Sequence, residues 1–309
     1  MRHVETLDNL PLRGAWVTIG SFDGVHIGHQ AIVNNLVSAA HQAGAPAVVL
    51  TFYPHPAVVL RGLGGPFYLT TPQERAELLG KLGVDWVITL PFTQELAQQE
   101  AETFIQQLKQ KLDVCCLWVG HDFALGRNRG GNIETLHQLS QRIPYQLKVI
   151  PPVKIGEQVI SSSIIRQAIL TGNIAAATTW LGRPYDLSGT VITGDQRGRT
   201  IGFPTANLAT WFERLLPENG VYATWAYTEQ GRWPSITNVG LRPTFEQRAP
   251  QPRVETHLLD FEGDLYGQTL RIEFIRHLRP EQRFENPARL IQQIRQDSLA
   301  AREVFAHVS

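Results

Sequence analysis

Two histidines lie three residues apart in the segment 20–29, which reads Gly-Ser-Phe-Asp-Gly-Val-His-Ile-Gly-His. The segment follows a short apolar run and precedes a stretch with helical periodicity, so His26 and His29 are expected at a helix start. A helix N-terminus offers backbone N–H groups and a positive dipole end, and glycine lets a bulky anion approach the backbone. The segment therefore predicts a phosphate cradle to which both imidazoles donate hydrogen bonds. Its other predicted contacts are Gly20, Phe22 and Gly28.

Two alternatives remain for the histidine pair, which would either only cap the helix or ligate a metal ion. A second segment favours phosphate binding. Residues 160–166 place the hydroxyls of Ser162 and Ser163 at another helix start, one turn before Arg166, whose guanidinium suits phosphate oxygens.

Two further loops follow apolar runs and can reach the same ligand. The loop 120–131 carries Asp122 and several arginines, and is either a substrate-binding loop or a solvated one. His55, in the loop after another apolar run, belongs either to a pocket or to the scaffold.

The segment 189–207 is rich in glycine and predicts backbone wrapped closely around a nucleotide, with Gly194 and Gly198 among the contacts. Thr205 and Asn207 are two residues apart, so on an extended segment they point the same way and offer oxygen ligands to Mg²⁺. The alternative is an ordinary glycine-rich turn followed by a strand.

Glu255 and His257 alternate with apolar residues and so lie on one face of a predicted strand. Transfer of a phosphoryl group to an alcohol requires a base within hydrogen-bond reach of the hydroxyl, and a carboxylate meets that requirement. Without its context, Glu255 would be interpreted as a surface carboxylate.

These residues must be positioned by regular elements. In the first half, short apolar runs alternate with helical stretches, which predicts an α/β domain with a parallel, Rossmann-like sheet and ligands at the carboxyl ends of its strands. The predicted strands are 15–19, 47–52, 86–90, 115–119 and 145–150, and the predicted helices are 30–43, 71–82, 101–112 and 132–141.

Residues 161–180 are helical in pattern, and Gly-Arg-Pro then breaks the pattern, which places a domain boundary at residue 183. From 184 to 309 the sequence predicts an antiparallel β-barrel or sandwich and a terminal helix over 287–305. The apolar face of that helix is expected to contain Leu290, Ile291, Ile294, Leu299 and Val304.

The composition fits a soluble globular protein of two domains, with 309 residues, 43% hydrophobic and 18% charged. The formal charge is zero, and neither a block of like charges nor a long apolar run is present. Nucleic-acid and membrane partners are therefore not expected, and we expect a cytoplasmic protein. Cys115 and Cys116 are interpreted as core thiols.

The histidine segment, the serine segment and the intervening Gly-x-Asp-Phe loop resemble the nucleotidyltransferase superfamily that includes the FAD synthetases. The resemblance implies that His26 and His29 stabilise a triphosphate in the transition state of adenylyl transfer. Ser163 departs from the threonine that is common in bacterial FAD synthetases, but it keeps the hydroxyl.

The second half resembles the riboflavin kinase domain in four motifs: Gly-Phe-Pro-Thr-Ala-Asn, Asn-Val-Gly-x-Arg-Pro-Thr-Phe, Val-Glu-Thr-His and Leu-Arg-Pro-Glu. The resemblance implies a β-barrel for this half, and it implies that Thr205 and Asn207 bind Mg²⁺ and ATP and that Glu255 is the catalytic base. Arg279 is then similar to an arginine of the flavin-side loop, and His55 is a candidate flavin contact in the first half.

Over its full length the chain thus resembles the bacterial bifunctional riboflavin kinase/FAD synthetases. The resemblance implies Mg²⁺-ATP-dependent phosphorylation of riboflavin to FMN, followed by adenylylation of FMN to FAD with release of pyrophosphate. Two alternatives remain, a nucleotidyltransferase for another phosphate acceptor and a flavin-binding regulator without turnover.

Overall fold

The computed structural model describes residues 1–194, 198, 201–242 and 251–306, so parts of two predicted motifs, at 195–197, 199–200 and 243–245, lie outside the described residues. The chain forms two compact units, 1–162 and 163–309. The boundary predicted at residue 183 stays a prediction, since it concerns functional domains rather than compactness.

Among the described residues of the first unit, six strands form an entirely parallel sheet in the order β1-β4-β3-β2-β5-β6. The strands are β1 (Arg2–Val4), β2 (Trp16–Ile19), β3 (Ala47–Phe52), β4 (Trp86–Leu90), β5 (Cys116–Gly120) and β6 (Gln146–Ile150), followed by a small hairpin of β7 (Lys154–Ile155) and β8 (Gln158–Val159). The predicted parallel sheet is confirmed.

Helices connect these strands, and local sequence sets where they begin. They are α1 (Ile27–Gln42), α2 (Pro56–Arg61), α3 (Pro72–Lys81), α4 (Gln94–Ala97), α5 (Ala101–Leu112) and α6 (Ile133–Ser140). Helix α3 begins as predicted, because Thr71 and Glu74 form a capping box and proline occupies the first turn.

Strand β2 lies between β3 and β5. The chain adds β3 and β4 on one side of β2 and then crosses to add β5 and β6 on the other side. Ligands of open parallel sheets bind where the strand order reverses in this way, outside the carboxyl ends of the strands. The loops that follow β2 and β5 begin at residues 20 and 121, and they carry the histidine segment and Asp122. The sheet therefore brings these two predicted segments to one crevice.

The second unit opens with α7 (Ser162–Leu170), whose first residue belongs to the first unit, and α8 (Ile174–Leu181). A closed antiparallel barrel follows, in the order β10-β13-β12-β11-β14-β9. Its strands are β9 (Tyr185–Ile192), β10 (Ala206–Thr210), β11 (Gly220–Thr228), β12 (Gly231–Arg242), β13 (Gln251–Leu258) and β14 (Thr269–Pro280), and the last helix is α9 (Pro287–Ala306). The predicted barrel and terminal helix are confirmed.

Two details of the prediction are wrong. Leu299 is exposed, because the buried stripe of α9 runs through Asp297, Ala301 and Val304 at steps of four and three residues, and Leu299 lies on the opposite side of the helix. Cys116 is buried in β5, whereas Cys115 precedes the strand and is exposed. In the part of the chain that the structure describes, no helix is long and apolar enough to cross a membrane.

Candidate active sites

His26 is the N-cap of α1. Its Nδ1 accepts hydrogen bonds from the backbone N–H groups of Gly28, at 3.1 Å, and His29, at 3.3 Å. Because Nδ1 is an acceptor, the proton of the neutral ring lies on Nε2. His26 therefore caps the helix, as one of the alternatives predicted. Its two cap hydrogen bonds use backbone N–H groups that were predicted to bind phosphate. A contact of His26 with phosphate would therefore involve Nε2–H, and that role stays a prediction.

The rings of His26 and His29 stack, with centroids 3.6 Å apart and planes inclined by 20°. Gly28 makes this arrangement possible, because a Cβ there would lie 3.0 Å from Cε1 and 3.1 Å from Nδ1 of His26. His26 is 4% exposed and has little room to move aside. Within the described residues, no group of three or more His, Cys, Asp or Glu side chains forms a metal site around this pair.

The crevice contains a cavity of about 550 Å³ at the carboxyl ends of the strands. Its lining includes Gly20, His55 and Asp122, which come from three different loops. The Asp122 side chain is 83% exposed, and its backbone carbonyl accepts a hydrogen bond from Arg129 Nη2 at 2.9 Å. Three predicted contacts are therefore brought together, and their roles stay predictions.

His55 has both of the roles considered for it. It lines the cavity and is also the N-cap of α2, with Nδ1 accepting from the backbone N–H of Ala57 at 3.0 Å. Its own backbone N–H donates to the Tyr68 hydroxyl at 2.8 Å, and its ring meets the ring of Phe67 edge-on, with centroids 5.0 Å apart. The scaffold thus fixes the orientation of the imidazole.

The other residues predicted to contact phosphate in this site are Phe22, Ser162, Ser163 and Arg166. The Phe22 ring is buried in an apolar cluster with Val25 and Val33, so any ligand contact would come from its backbone. Ser162 Oγ donates to the carbonyl of Asp23 at 2.9 Å and so ties the start of α7 to the histidine segment. Ser163 and Arg166 follow on α7, and their part in phosphate binding stays a prediction.

In the second unit, Asn207 of β10 lies opposite Glu255 of β13 in the antiparallel register. Arg253 joins them: its Nε donates to Asn207 Oδ1 at 3.2 Å, and its Nη2 pairs with Glu255 Oε1. The guanidinium holds both side chains in fixed orientations on two neighbouring strands of the barrel.

Two of the predicted glycines pack closely against other residues of the site. A Cβ at Gly194 would collide with the Asn207 amide, and one at Gly198 would collide with the Phe203 carbonyl and lie 3.3 Å from Thr205 Oγ1. Glycine is therefore required to leave space beside these oxygen atoms.

His257 fixes the segment that leads to Thr205. Its Nδ1 lies 2.7 Å from the Pro204 carbonyl oxygen, a distance at which Nδ1–H donates to that oxygen. The Phe203 ring meets the imidazole edge-on, with centroids 5.5 Å apart. Burial lowers the pKa of His257 below its ordinary value of 6.5, while the Pro204 hydrogen bond and the charge of Asp260 oppose that shift.

A cavity of about 300 Å³ opens beside these residues. Its lining includes Thr205, Glu255, His257 and Arg279, together with Gly198. Arg279 is held by Asp297 of α9, with Nε and Nη2 at 2.9 and 2.8 Å from its two carboxylate oxygens. The predicted base, the predicted magnesium ligand and the predicted flavin-side arginine therefore face one cavity.

The comparisons with known proteins find a different family model for each half of the chain. The family model described as FAD synthetase matches residues 9–164, and the one described as riboflavin kinase matches residues 181–305. The bifunctional riboflavin kinase/FMN adenylyltransferase of Escherichia coli strain K12 is 36% identical over 307 residues, covering 99% of this chain and 97% of the relative. The chain belongs to the bifunctional riboflavin kinase/FMN adenylyltransferase family.

Two further proteins also match nearly the whole chain. The Bacillus subtilis strain 168 protein of the same description is 34% identical over 296 residues, covering 94% of this chain and 93% of the relative. A crystal structure described as a macrolide-efflux protein from Streptococcus pneumoniae superposes with a TM-score of 0.87 at 29% identity, covering 97% of this chain and 98% of that one. The structural match therefore extends over both units of the chain.

Three charged residues that contact the predicted site segments were not predicted from the sequence: Arg253, Asp297 and Arg75. Arg253 carries a signal that could have been used, because it precedes Glu255 by two positions and so lies on the same strand face. Asp297 and Arg75 carried no such signal. Each looks like one charged residue in an amphipathic helix, and only the fold shows that Asp297 holds Arg279 and that Arg75 is buried.

Proposed function

We propose that the barrel cavity phosphorylates riboflavin to FMN. The 5′-hydroxyl oxygen of the ribityl chain attacks the γ-phosphorus of ATP, the bond to the β–γ bridging oxygen breaks, and ADP leaves. Glu255 accepts the hydroxyl proton as the general base. The observation that carries the proposal is that Glu255, Thr205 and Arg279 line the same cavity.

The oxygen ligands beside Glu255 fit a magnesium ion. Thr205 Oγ1 and Asn207 Oδ1 are hard donors, and the space that Gly194 and Gly198 leave beside them would be filled by any larger side chain. Bound there with the nucleotide, Mg²⁺ would neutralise charge on the transferred phosphoryl group. Arg253 orients Asn207 and Glu255 toward this task.

We assign the second reaction, adenylyl transfer, to the first unit. A phosphate oxygen of FMN attacks the α-phosphorus of ATP, the α–β bridging bond breaks, and pyrophosphate leaves. Charge that develops on the triphosphate needs fixed donors. Because Nδ1 of His26 is an acceptor, we propose that Nε2–H is the group of this ring that donates to the triphosphate. His29 stacks on His26 and is positioned with it.

The cavity of about 550 Å³ in this unit has the size of a small-molecule site and is lined by the aromatic rings of Phe52, Phe92 and Phe104 as well as by polar groups. We propose that FMN occupies it, with Asp122 and His55 among its contacts. Riboflavin, FMN and ATP are therefore the small molecules that we expect the protein to bind.

Incubation of the protein with riboflavin, ATP and Mg²⁺, with chromatography of the flavins over time, tests both assignments. FMN should appear first and FAD should follow. FMN alone would remove the adenylyl-transfer proposal. The absence of any new flavin would favour another phosphate acceptor or a flavin-binding regulator.

A further inference from the structure

Arg75 is a fully buried arginine, 0% exposed, on the face of α3 that also buries Ala76 and Leu79. Arginine is almost never fully buried unless its guanidinium is paired. Its Nη1 donates to Thr51 Oγ1 and to the Phe52 carbonyl oxygen, both at 3.1 Å. The guanidinium thus ties helix α3 to the carboxyl end of β3.

The Thr51 hydroxyl extends this contact to the histidine segment. It accepts from Arg75 and donates its own proton to the carbonyl oxygen of Ser21 at 2.9 Å. Thr51 is also 0% exposed, so water does not replace either bond. A relay of two hydrogen bonds therefore connects Arg75 with the loop that follows β2.

A carboxylate of the same loop balances the buried charge. Asp23 is 0% exposed, and its Oδ1 lies 4.0 Å from Arg75 Nη2. It also accepts from the backbone N–H groups of Leu69 and Thr70 and from Thr70 Oγ1, each at 3.1 Å. Charge compensation and these bonds make burial of both groups possible.

The loop needs such support because its backbone is strained. Phe22 and Val25 have φ values of 47° and 42°, in the left-handed region that bulky and β-branched residues rarely adopt. Strained conformations at functional sites persist only where the surrounding structure fixes them. Arg75 reaches the loop at Ser21, through Thr51, and at Asp23, on the two sides of Phe22.

We infer that Arg75 is a positioning residue for adenylyl transfer, holding the strained loop so that His26 and His29 keep their geometry against the triphosphate. The inference rests on the proposed function of the first unit. It predicts that a break in the relay lowers kcat for FAD formation, because a displacement of about 1 Å at a reacting group costs on the order of 100-fold in rate.

Two variants break the relay at different points. Thr51→Val is nearly isosteric and removes only the hydroxyl, whereas Arg75→Lys keeps the charge but loses the forked geometry. With saturating FMN, each should lower kcat for FAD formation by about tenfold or more and change KM for ATP much less. The FMN-forming reaction of the same molecules should stay within about twofold of wild type, which shows that the second unit is intact.

Tyr145→Phe is the matched control in the first unit. Tyr145 is buried and donates its hydroxyl proton to the Leu136 carbonyl at 2.5 Å. It packs in a different hydrophobic cluster from Phe22 and Val25 of the histidine segment. The variant should lower the thermal unfolding midpoint but leave kcat for FAD formation unchanged. A fall in kcat of Tyr145→Phe together with its unfolding midpoint, comparable to the fall in kcat of Thr51→Val, would overturn the inference. Loss of stability in the first unit would then explain the lower kcat of all three variants.

Wild-type kcat in Thr51→Val would also overturn the inference, whatever the folding of Arg75→Lys. The proposed function fails separately, since it requires that the wild-type protein form FAD at all. FAD formation by wild type with no loss in Thr51→Val would keep the function and reject the role of Arg75.

Discussion

Asn207 and Glu255 lie directly opposite each other on neighbouring antiparallel strands, and Arg253 bonds to both. The pairing places an amide oxygen suited to Mg²⁺ directly across the sheet from a carboxylate suited to general-base catalysis. Since the barrel is closed, this register cannot slip without moving every strand. The fold therefore fixes the separation of the two groups.

Replacement of this carboxylate tests its role directly. Glu255→Gln keeps the size of the side chain but removes the base, and the loss of a general base costs on the order of 10² to 10⁴ in rate. FMN formation should fall by that factor in a riboflavin assay, while FAD formation from supplied FMN continues. Loss of both activities in a folded variant would contradict the two-site assignment.

Glu273→Gln is the control for this variant. Glu273 also lies on a barrel strand and pairs with Tyr227 and Arg271, but it is not among the residues that line the cavity. Its replacement should leave kcat for FMN formation unchanged.

In the first unit, His29→Ala should lower kcat for FAD formation by a factor of about 10² to 10³ and leave FMN formation intact. Removal of a fixed donor to developing charge costs on the order of 10² to 10³ in kcat. His41→Ala tests the other end of α1, where the imidazole pairs with Asp85 at 3.0 Å, and should keep both activities. Equal loss in the two variants would mean that destabilisation of the helix, rather than catalysis, is being measured.

The sequence predicts the strands well, because a buried parallel strand is a continuous apolar run; the prediction for 47–52 coincides with β3. It also predicts which loops meet, since the topology of such sheets places them at one edge. The sequence does not predict which side chain of another element a charged residue on a helix contacts. The contact between Arg279 and Asp297 joins a strand to a helix across 18 residues, and only packing decides it.

Gly28→Ala tests whether the histidine stack matters. Alanine ordinarily stabilises a helix relative to glycine by about 1 kcal/mol, so stability alone predicts a neutral or favourable change. The added Cβ would nevertheless press on the His26 ring at 3.0 Å. FAD formation should therefore fall by about tenfold or more without loss of thermal stability. Wild-type kcat in this variant would show that the stacked geometry is dispensable.

His257 provides a test that depends on pH. Burial lowers its pKa in the folded protein below the ordinary 6.5. As the pH falls below 6.5, the imidazole is therefore protonated in the unfolded chain before it is protonated in the folded protein. The neutral imidazole thus contributes stability that is present above pH 6.5 and is lost as the pH falls toward the folded pKa. His257→Phe should flatten this part of the stability profile, since phenylalanine does not titrate.

The pKa of His257 can be measured directly by following the imidazole C–H resonances by NMR as the pH is varied. The resonance that is missing in His257→Phe identifies the residue, and its midpoint should lie below 6.5. The Pro204 hydrogen bond and Asp260 both favour the protonated ring, so a midpoint at or above 6.5 would mean that they outweigh burial. In that case acidification would stabilise the barrel through this residue, which is the opposite of the expected sign.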